Sequence, residues 1–358
     1  MSDRVFIIAE AGVNHDGSLD DARRMIDVAA EAGADAVKFQ TFQAEQLVTR
    51  RAAKAAYQTR NTGEDGGQFA MLKALELAHQ DHQALAAHAA AQGVRFMSTA
   101  FDLDSLAFLS SLGMPAIKLP SGDLTWGPML LAAARLDQPL IVSTGMADLD
   151  EIRDALSVIA FGLTRTDVPT GRADLAEAFA SPAARARLRE RVTLLHCTTE
   201  YPTPLKAVNL RAMDVMAETF GLPVGYSDHT LGTSVAIAAV ARGATVIEKH
   251  FTLDRTRPGP DHAASLEPVE LAAMIAAIRE VEIALGRPIK APAPEELGNR
   301  AIARRSLVAA RPIAAGEPLS LDNLTAKRPA DGVSPMEVWP MLGRPAARAY
   351  QADEAVEA

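Results

Sequence analysis

The sequence predicts a (β/α)8 barrel followed by a small β-rich domain, and three observations carry that expectation. Short apolar runs alternate with longer amphipathic segments, polar side chains follow each of eight such runs, and the composition changes after Leu285. Strands alternating with helices imply parallel pairing through right-handed crossovers, and eight strand–helix units close into a barrel. A doubly wound open sheet, the competing architecture, would gather its chemistry at one crevice and not at the end of every strand. The length of 358 residues suits a barrel of about 250 residues with an appendage.

Taken in order, the apolar runs are residues 5–9, 36–39, 94–97, 117–119, 140–142, 192–195, 222–225 and 245–247. Helical patterns lie between or after them at 19–32, 83–92, 105–112, 149–161, 234–242 and 268–285. Two segments interrupt the alternation. Residues 43–68 form a polar, Gly-containing loop after the second strand, and residues 161–191 form a long insertion before the sixth. The Arg-rich end of that insertion, 183–191, reads as a solvated helix rather than a binding patch. The barrel is therefore expected over 1–285. Residues 286–299, with Pro288, Pro292 and Pro294, read as a semi-rigid linker, and 300–358 as the second domain. At about 60 residues that domain would be marginal alone, so docking on a partner surface is expected.

Hydrophobic residues make up 48% and charged residues 23%, a globular composition. The net charge of −9 leaves no surplus of cations to displace the counterions of a nucleic acid. An anionic substrate must then be held by a few local lysines and arginines. Cys197 is the only cysteine, so no internal disulfide forms and a cytoplasmic setting is expected. No uninterrupted apolar stretch approaches the length of a membrane span.

The polar residues after the runs are the informative feature. They are Glu10; Lys38 and Gln40; Ser98 and Thr99; Lys118 and Ser121; Ser143 and Thr144; His196, Thr199 and Tyr201; Ser227, Asp228 and His229; and Glu248, Lys249 and His250. In a barrel all of them fall at the C-terminal ends of the strands, where barrel enzymes place their chemistry. Each alone has an ordinary explanation as a helix cap, a snorkelling lysine or a core histidine. Their coincidence at one rim favours a site.

Lys38 and Lys118 with the hydroxyls of Thr99, Ser121 and Ser143 suit an anion site for a phosphate and a carboxylate together. No Walker loop or dinucleotide fingerprint is present. His229 and His250 end neighbouring strands and suit a divalent metal acting as a Lewis acid on an aldehyde oxygen. Glu10, on the strand beside the eighth, is placed for proton transfer.

Several motifs run in order through the chain: Ile8-Ala-Glu-Ala-Gly-Val-Asn-His-Asp-Gly17, Val37-Lys-Phe-Gln40, Lys118-Leu-Pro-Ser-Gly122 and Ser143-Thr-Gly-Met146. They continue with Tyr201-Pro-Thr-Pro204, Tyr226-Ser-Asp-His-Thr230, Glu248-Lys-His-Phe251 and Gly259-Pro-Asp-His262. Together they resemble the sialic acid synthase family, whose members join phosphoenolpyruvate to N-acetylmannosamine or a relative. The tail segment Lys327-Arg-Pro-Ala-Asp-Gly332 resembles that family's antifreeze-like (SAF) domain, which follows a TIM barrel. The resemblance implies that Lys38, Thr99, Lys118, Ser121, Ser143 and Ser227 hold phosphoenolpyruvate. It implies that His229 and His250 bind Mn²⁺ or Mg²⁺, and that Gln40, Asn61, Tyr201 and Asp261 contact the sugar. Arg328, from the antifreeze-like domain of the other subunit of a domain-swapped homodimer, would reach the sugar's N-acetyl group.

Neuraminate-making members usually carry Asn where this chain has Thr199, and Glu where it has Asp123. The Thr198-Thr-Glu-Tyr-Pro202 form, with Tyr57-Gln and Asn61-Thr-Gly before Met71-Leu-Lys73, is similar to the legionaminic acid synthases, which use a 6-deoxy, 2,4-diacetamido mannose. An N,N'-diacetyllegionaminate-forming activity is expected, with N-acetylneuraminate synthesis from N-acetylmannosamine as the alternative and a pseudaminate-type synthase third. A Schiff-base aldolase would need no metal and no antifreeze-like domain. A non-catalytic carbohydrate- or ice-binding protein would have no use for Glu10 and both histidines.

Overall fold

The structure is a computed structural model that describes residues 4–63 and 66–357. It divides into two compact units, Met1–Gly286 and Arg287–Ala358. In the first, eight strands close into a parallel barrel in chain order. They are β1 (Phe6–Gly12), β2 (Ala36–Thr41), β3 (Arg95–Ala100), β4 (Ile117–Leu119), β5 (Leu140–Ser143), β6 (Val192–Cys197), β7 (Val224–Asp228) and β8 (Val246–His250). The expected (β/α)8 fold is present.

Side chains alternate across each strand, and this alternation sorts the barrel into layers. Ile8, Ala36, Met97, Ala116, Ile141, Leu195 and Val246 form one buried apolar cluster that plugs the interior. Gly225 completes this layer, because a Cβ there would stand 2.4 Å from the Val246 carbonyl oxygen. Two residues further along the strands, the same inward row becomes Glu10, Lys38, Thr99, Lys118, Ser143, Cys197, Ser227 and Glu248. The outward row, including Ile7, Ala9, Val37, Phe39, Leu194 and Tyr226, packs under the helices in the main core.

The helices follow from local chemistry. Leu19–Glu31 starts at Ser18, whose hydroxyl accepts from the Asp21 backbone amide, and has Asp20 and Asp21 in its first turn, where the helix dipole favours them. Its buried residues Ala22, Met25, Ile26 and Ala29 recur at helical spacing. Leu149–Thr164 begins in a capping box of Asp148 and Glu151. The insertion is ordered as two helices, Arg172–Ala180 and Pro182–Arg191. The second is the expected solvated helix; Arg187 and Arg191 both pair with Asp137 on the surface.

Three details differ from the sequence reading. Most strands continue past their apolar runs, β8 as far as His250, because the buried polar residues are themselves strand residues. Helices Gly127–Ala134 and Arg211–Phe220 were not singled out; the first is apolar nearly all round and has little contrast to mark it. The 43–68 loop contains short helices at Ala44–Leu47 and Ala56–Thr62 and leads into Gln68–Leu75.

The second unit packs Leu307, Ile313, Leu319, Leu324, Met341, Tyr350 and Val356 into its own core. Its regular sheet is a single antiparallel pair, β9 (Ser306–Ala309) with β10 (Leu324–Lys327), supplemented by isolated bridges. It is thus richer in turns than in strands. The segment expected as a linker over 286–299 is not extended throughout, since helix Leu297–Ala303 begins within it. Among the described residues no helix is long and apolar enough to cross a membrane.

Candidate active site

Strand register assembles the site. Glu10 pairs with Lys38 on one side and with His250 on the other, and Ser227 pairs with Glu248. These inward residues form the floor of a cavity of about 330 Å³ at the C-terminal end of the barrel. Lys38 Nζ lies 2.6 Å from Glu10 Oε2 and 3.6 Å from Glu248 Oε2, and donates to Thr99 Oγ1 at 2.9 Å. Lys118 Nζ donates to Ser143 Oγ at 2.8 Å and stands 3.5 Å from Glu248 Oε1. Ser227 Oγ donates to the same Glu248 oxygen at 2.9 Å.

Burial and mutual charge set the protonation of this floor. Burial raises the Glu10 carboxyl to about 7, because it outweighs the attraction of Lys38, and the Glu248 charge adds to the rise. Glu248 is equally buried, yet Lys118 and Lys38 together overcome that penalty and hold it ionised, with help from Ser227. Burial lowers Lys118, whereas Lys38 is raised because Glu10 and Glu248 outweigh its desolvation. One carboxyl poised near neutrality beside one fixed carboxylate is the pattern of an acid–base site.

His229 and His250 sit above the floor with ring centroids 5.5 Å apart. The His229 Nδ1 proton goes to the Thr198 carbonyl oxygen at 2.7 Å, which leaves Nε2 unprotonated, 3.4 Å from Ser227 Oγ. His250 Nδ1 is buried without a hydrogen-bond partner and 4.0 Å from Asp261 Oδ2. Burial depresses both imidazoles, so both are neutral. Two neutral imidazoles, one with a buried vacant nitrogen, fit a divalent cation as a pair of ligands. Among the described residues no group of three or more His, Cys, Asp or Glu could hold a metal, so further ligands would come from water or substrate.

Gln40, Tyr201 and Asp261 also line the cavity, as do Ser121 and the two histidines. The Tyr201 ring centroid lies 4.1 Å from that of His229 and 4.9 Å from that of Tyr57, tilted 31° to each. Burial raises Asp261 to about 6. Ser121 Oγ accepts from the Gly145 amide at 2.9 Å, and a Cβ on Gly145 would meet Thr199 Oγ1 at 2.5 Å and Ser121 Oγ at 2.8 Å.

Not every expected residue gathers here. Asn61 does not line the cavity; its amide donates to the Pro260 carbonyl oxygen at 2.7 Å and so braces the loop that carries Asp261. Arg328 is an exposed residue of the second unit, just past β10. Ser98, Thr144, His196, Asp228 and Lys249 point away from the cavity floor. Ser98 bonds Thr41, His196 bonds the Val208 carbonyl, and Asp228 pairs with Lys249 at 2.9 Å. The two-residue period separates them from their inward neighbours, and it also marks Glu248, two residues before His250, as a floor residue to which no role had been given. Tyr57, Met71 and Leu72, which belong to the motifs that resemble the legionaminic acid synthases, line the cavity too, as do Leu47 and Leu75.

A closed parallel barrel whose inward row turns polar at the C-terminal face has the architecture of a barrel enzyme. Residues 25–290 match the NeuB family and residues 304–358 match the SAF domain, so the chain belongs to the NeuB family and carries a SAF domain. It is 45% identical over 353 residues to the N,N'-diacetyllegionaminic acid synthase of Campylobacter jejuni, covering 99% of each chain. It is also 45% identical to the enzyme of that name from Legionella pneumophila, covering 94% of this chain and 89% of the relative. The crystal structure of N-acetylneuraminic acid (sialic acid) synthetase from Leptospira borgpetersenii in complex with citrate superposes with a TM-score of 0.66. Its identity is 32%, over 82% of this chain and 90% of that one.

Proposed function

We propose that this chain condenses phosphoenolpyruvate and water with 2,4-diacetamido-2,4,6-trideoxymannose, giving N,N'-diacetyllegionaminate and phosphate. The observation that carries the reading is the buried floor in which Lys38 and Lys118 flank Glu248 while Glu10 stands at the edge of protonation. With Glu10 protonated, two ammonium groups face one carboxylate, and the surplus positive charge suits an anion arriving from above. Identity to two enzymes that bear the name N,N'-diacetyllegionaminic acid synthase supports this substrate pair.

Lys38, Thr99, Lys118, Ser121, Ser143 and Ser227 bind and orient phosphoenolpyruvate so that its C3 faces the sugar aldehyde. Gln40, Tyr201 and Asp261 position the sugar. A Mn²⁺ or Mg²⁺ ion held by His229 and His250 would supply Lewis acidity toward the aldehyde oxygen. C3 attacks the aldehyde carbon, and the new alkoxide takes the proton that burial keeps on Glu10. Water adds at C2 and returns a proton to the Glu10 carboxylate, and phosphate leaves by cleavage of the C–O bond, carrying the proton of the new C2 hydroxyl as the ketone forms. Asn61 acts by holding the loop of Asp261. Arg328 reaches the sugar from a second copy of the chain in a swapped homodimer; the exposed Leu297 and Ile302 on the short helix before β9 offer apolar surface for that copy to cover.

Phosphate release and product mass, measured with each candidate sugar, test the reading. The diacetamido sugar should show the higher kcat/KM, and in ¹⁸O-labelled water the released phosphate should stay unlabelled. Equal or better use of N-acetylmannosamine would assign a neuraminate-type activity, and label in the phosphate would mean a different reaction.

A further inference from the structure

The cavity is not polar throughout. A small buried cluster of Val13, Phe42 and Leu75, separate from the barrel core, sits at its mouth with Leu47, Met71, Leu72 and Phe101 packed against it. Of these, Val13, Leu47, Met71, Leu72, Leu75 and Phe101 also line the cavity. They come from the ends of β1 and β3 and from the segment between β2 and β3. Met71 and Leu72 are only partly buried, so each packs on the cluster with one side and faces the cavity with the other. The cavity is also lined by Thr199, Tyr201 and Asp261, whose polar groups can pair with hydroxyls and amides.

We infer that this apolar wall receives the C6 end of the sugar and selects a 6-deoxy substrate. The inference rests on the condensing reaction proposed above, which fixes the aldehyde at the charged floor and sends the far end of the six-carbon chain toward the mouth. A methyl group against Met71, Leu72 and Leu75 loses nothing on leaving water. A C6 hydroxyl at the same place would be buried without a partner, and that costs binding. An apolar pocket rejects an added hydroxyl only moderately, by about a hundredfold at most.

The test compares N-acetylmannosamine with 2-acetamido-2,6-dideoxymannose, which differ only in the C6 hydroxyl. Each is measured as a substrate and as a competitor of the diacetamido sugar. The native enzyme should prefer the 6-deoxy sugar by about ten- to a hundredfold. Met71→Gln and Leu72→Gln should reduce the preference to within about threefold, mainly through loss with the 6-deoxy sugar, while the thermal midpoint with phosphoenolpyruvate present stays near native. Equal use of the two sugars by the native enzyme overturns the inference without recourse to any variant. So does a proportional loss with both sugars in the two variants. If the diacetamido sugar proves a poor substrate while the C6 preference holds, the substrate assignment falls and the wall stands.

Discussion

Lys38 Nζ lies 2.6 Å from Glu10 Oε2, with both side chains almost wholly buried. Removing the cation takes the nearest partner from Glu10 and leaves Glu248 to Lys118 and Ser227 in the buried floor. Lys38→Ala should therefore lower stability by about 3–5 kcal/mol in urea unfolding and abolish phosphate release. Glu10→Gln mimics the protonated carboxyl and should cost much less stability, while kcat falls by about 10²–10⁴. A stable Lys38→Ala protein, or a fully active Glu10→Gln enzyme, would remove the pair from the mechanism.

The imidazole pair gives a second expectation. Chelator should abolish activity, and Mn²⁺ or Mg²⁺ should restore it. Either ion should also raise the thermal midpoint of the native protein, because a ligand that binds only the folded state stabilises it. His229→Ala and His250→Ala should lose both responses yet stay folded. Full activity of either variant in chelator would end the metal assignment.

Gly145 makes a steric prediction. A Cβ would stand 2.5 Å from Thr199 Oγ1 and 2.8 Å from Ser121 Oγ, closer than such contacts allow. Gly145→Ala should raise KM for phosphoenolpyruvate by displacing Ser121 and destabilise the chain by about 1–3 kcal/mol. Adding Thr199→Ala should recover part of that stability. An unperturbed Gly145→Ala protein would contradict the packing.

A fourth expectation concerns acid. Burial pushes His82 down to about 3 and His15 down to about 4. The folded state therefore binds these protons less readily than the unfolded chain, whose histidines titrate near 6.5. The stabilisation is complete above about 6.5 and is lost as pH falls toward 3, amounting to about 2 kcal/mol per histidine at pH 5. His82 Nε2 meets Thr41 Oγ1 at 3.2 Å, a contact that glutamine can imitate. The urea stability lost between pH 7.5 and pH 5 should thus be smaller in His82→Gln by about that amount. An identical loss in both proteins would show that His82 is not held neutral.

Assembly can be tested by mixing. Inactive His229→Ala and Arg328→Ala proteins should, after subunit exchange, regain about a quarter of native activity, since half the dimers are mixed and each has one intact site. Verified exchange without activity would mean that the second unit serves its own barrel.

The barrel was legible because alternating apolar runs and amphipathic segments leave few other ways to bury a parallel sheet. The polar rim was legible as a set of residue types but not as a geometry. Ser98 and Thr99 are neighbours in sequence, yet one faces the helices and the other the cavity; the same holds for Glu248 and Lys249. Asp228 and Lys249 neutralise each other outside the barrel, a pairing that exists only once β7 and β8 lie in register. Asn61 missed the cavity because its partner is a backbone carbonyl 199 positions away, which no local pattern encodes. Met71 and Leu72 were legible as part of a motif that resembles the legionaminic acid synthases, but no sequence pattern showed that they join Val13 and Leu75 in one wall.

The cluster of Val13, Phe42 and Leu75 is discontinuous with the residues that hold the barrel together. The proposed selection at C6 thus rests on residues outside the barrel core, while the proposed bond-making rests on the charged floor. The stretch between β2 and β3 can drift or be transplanted from a relative with little disturbance to the charged floor. A lineage could change which sugar it condenses without reinventing the reaction that makes the bond.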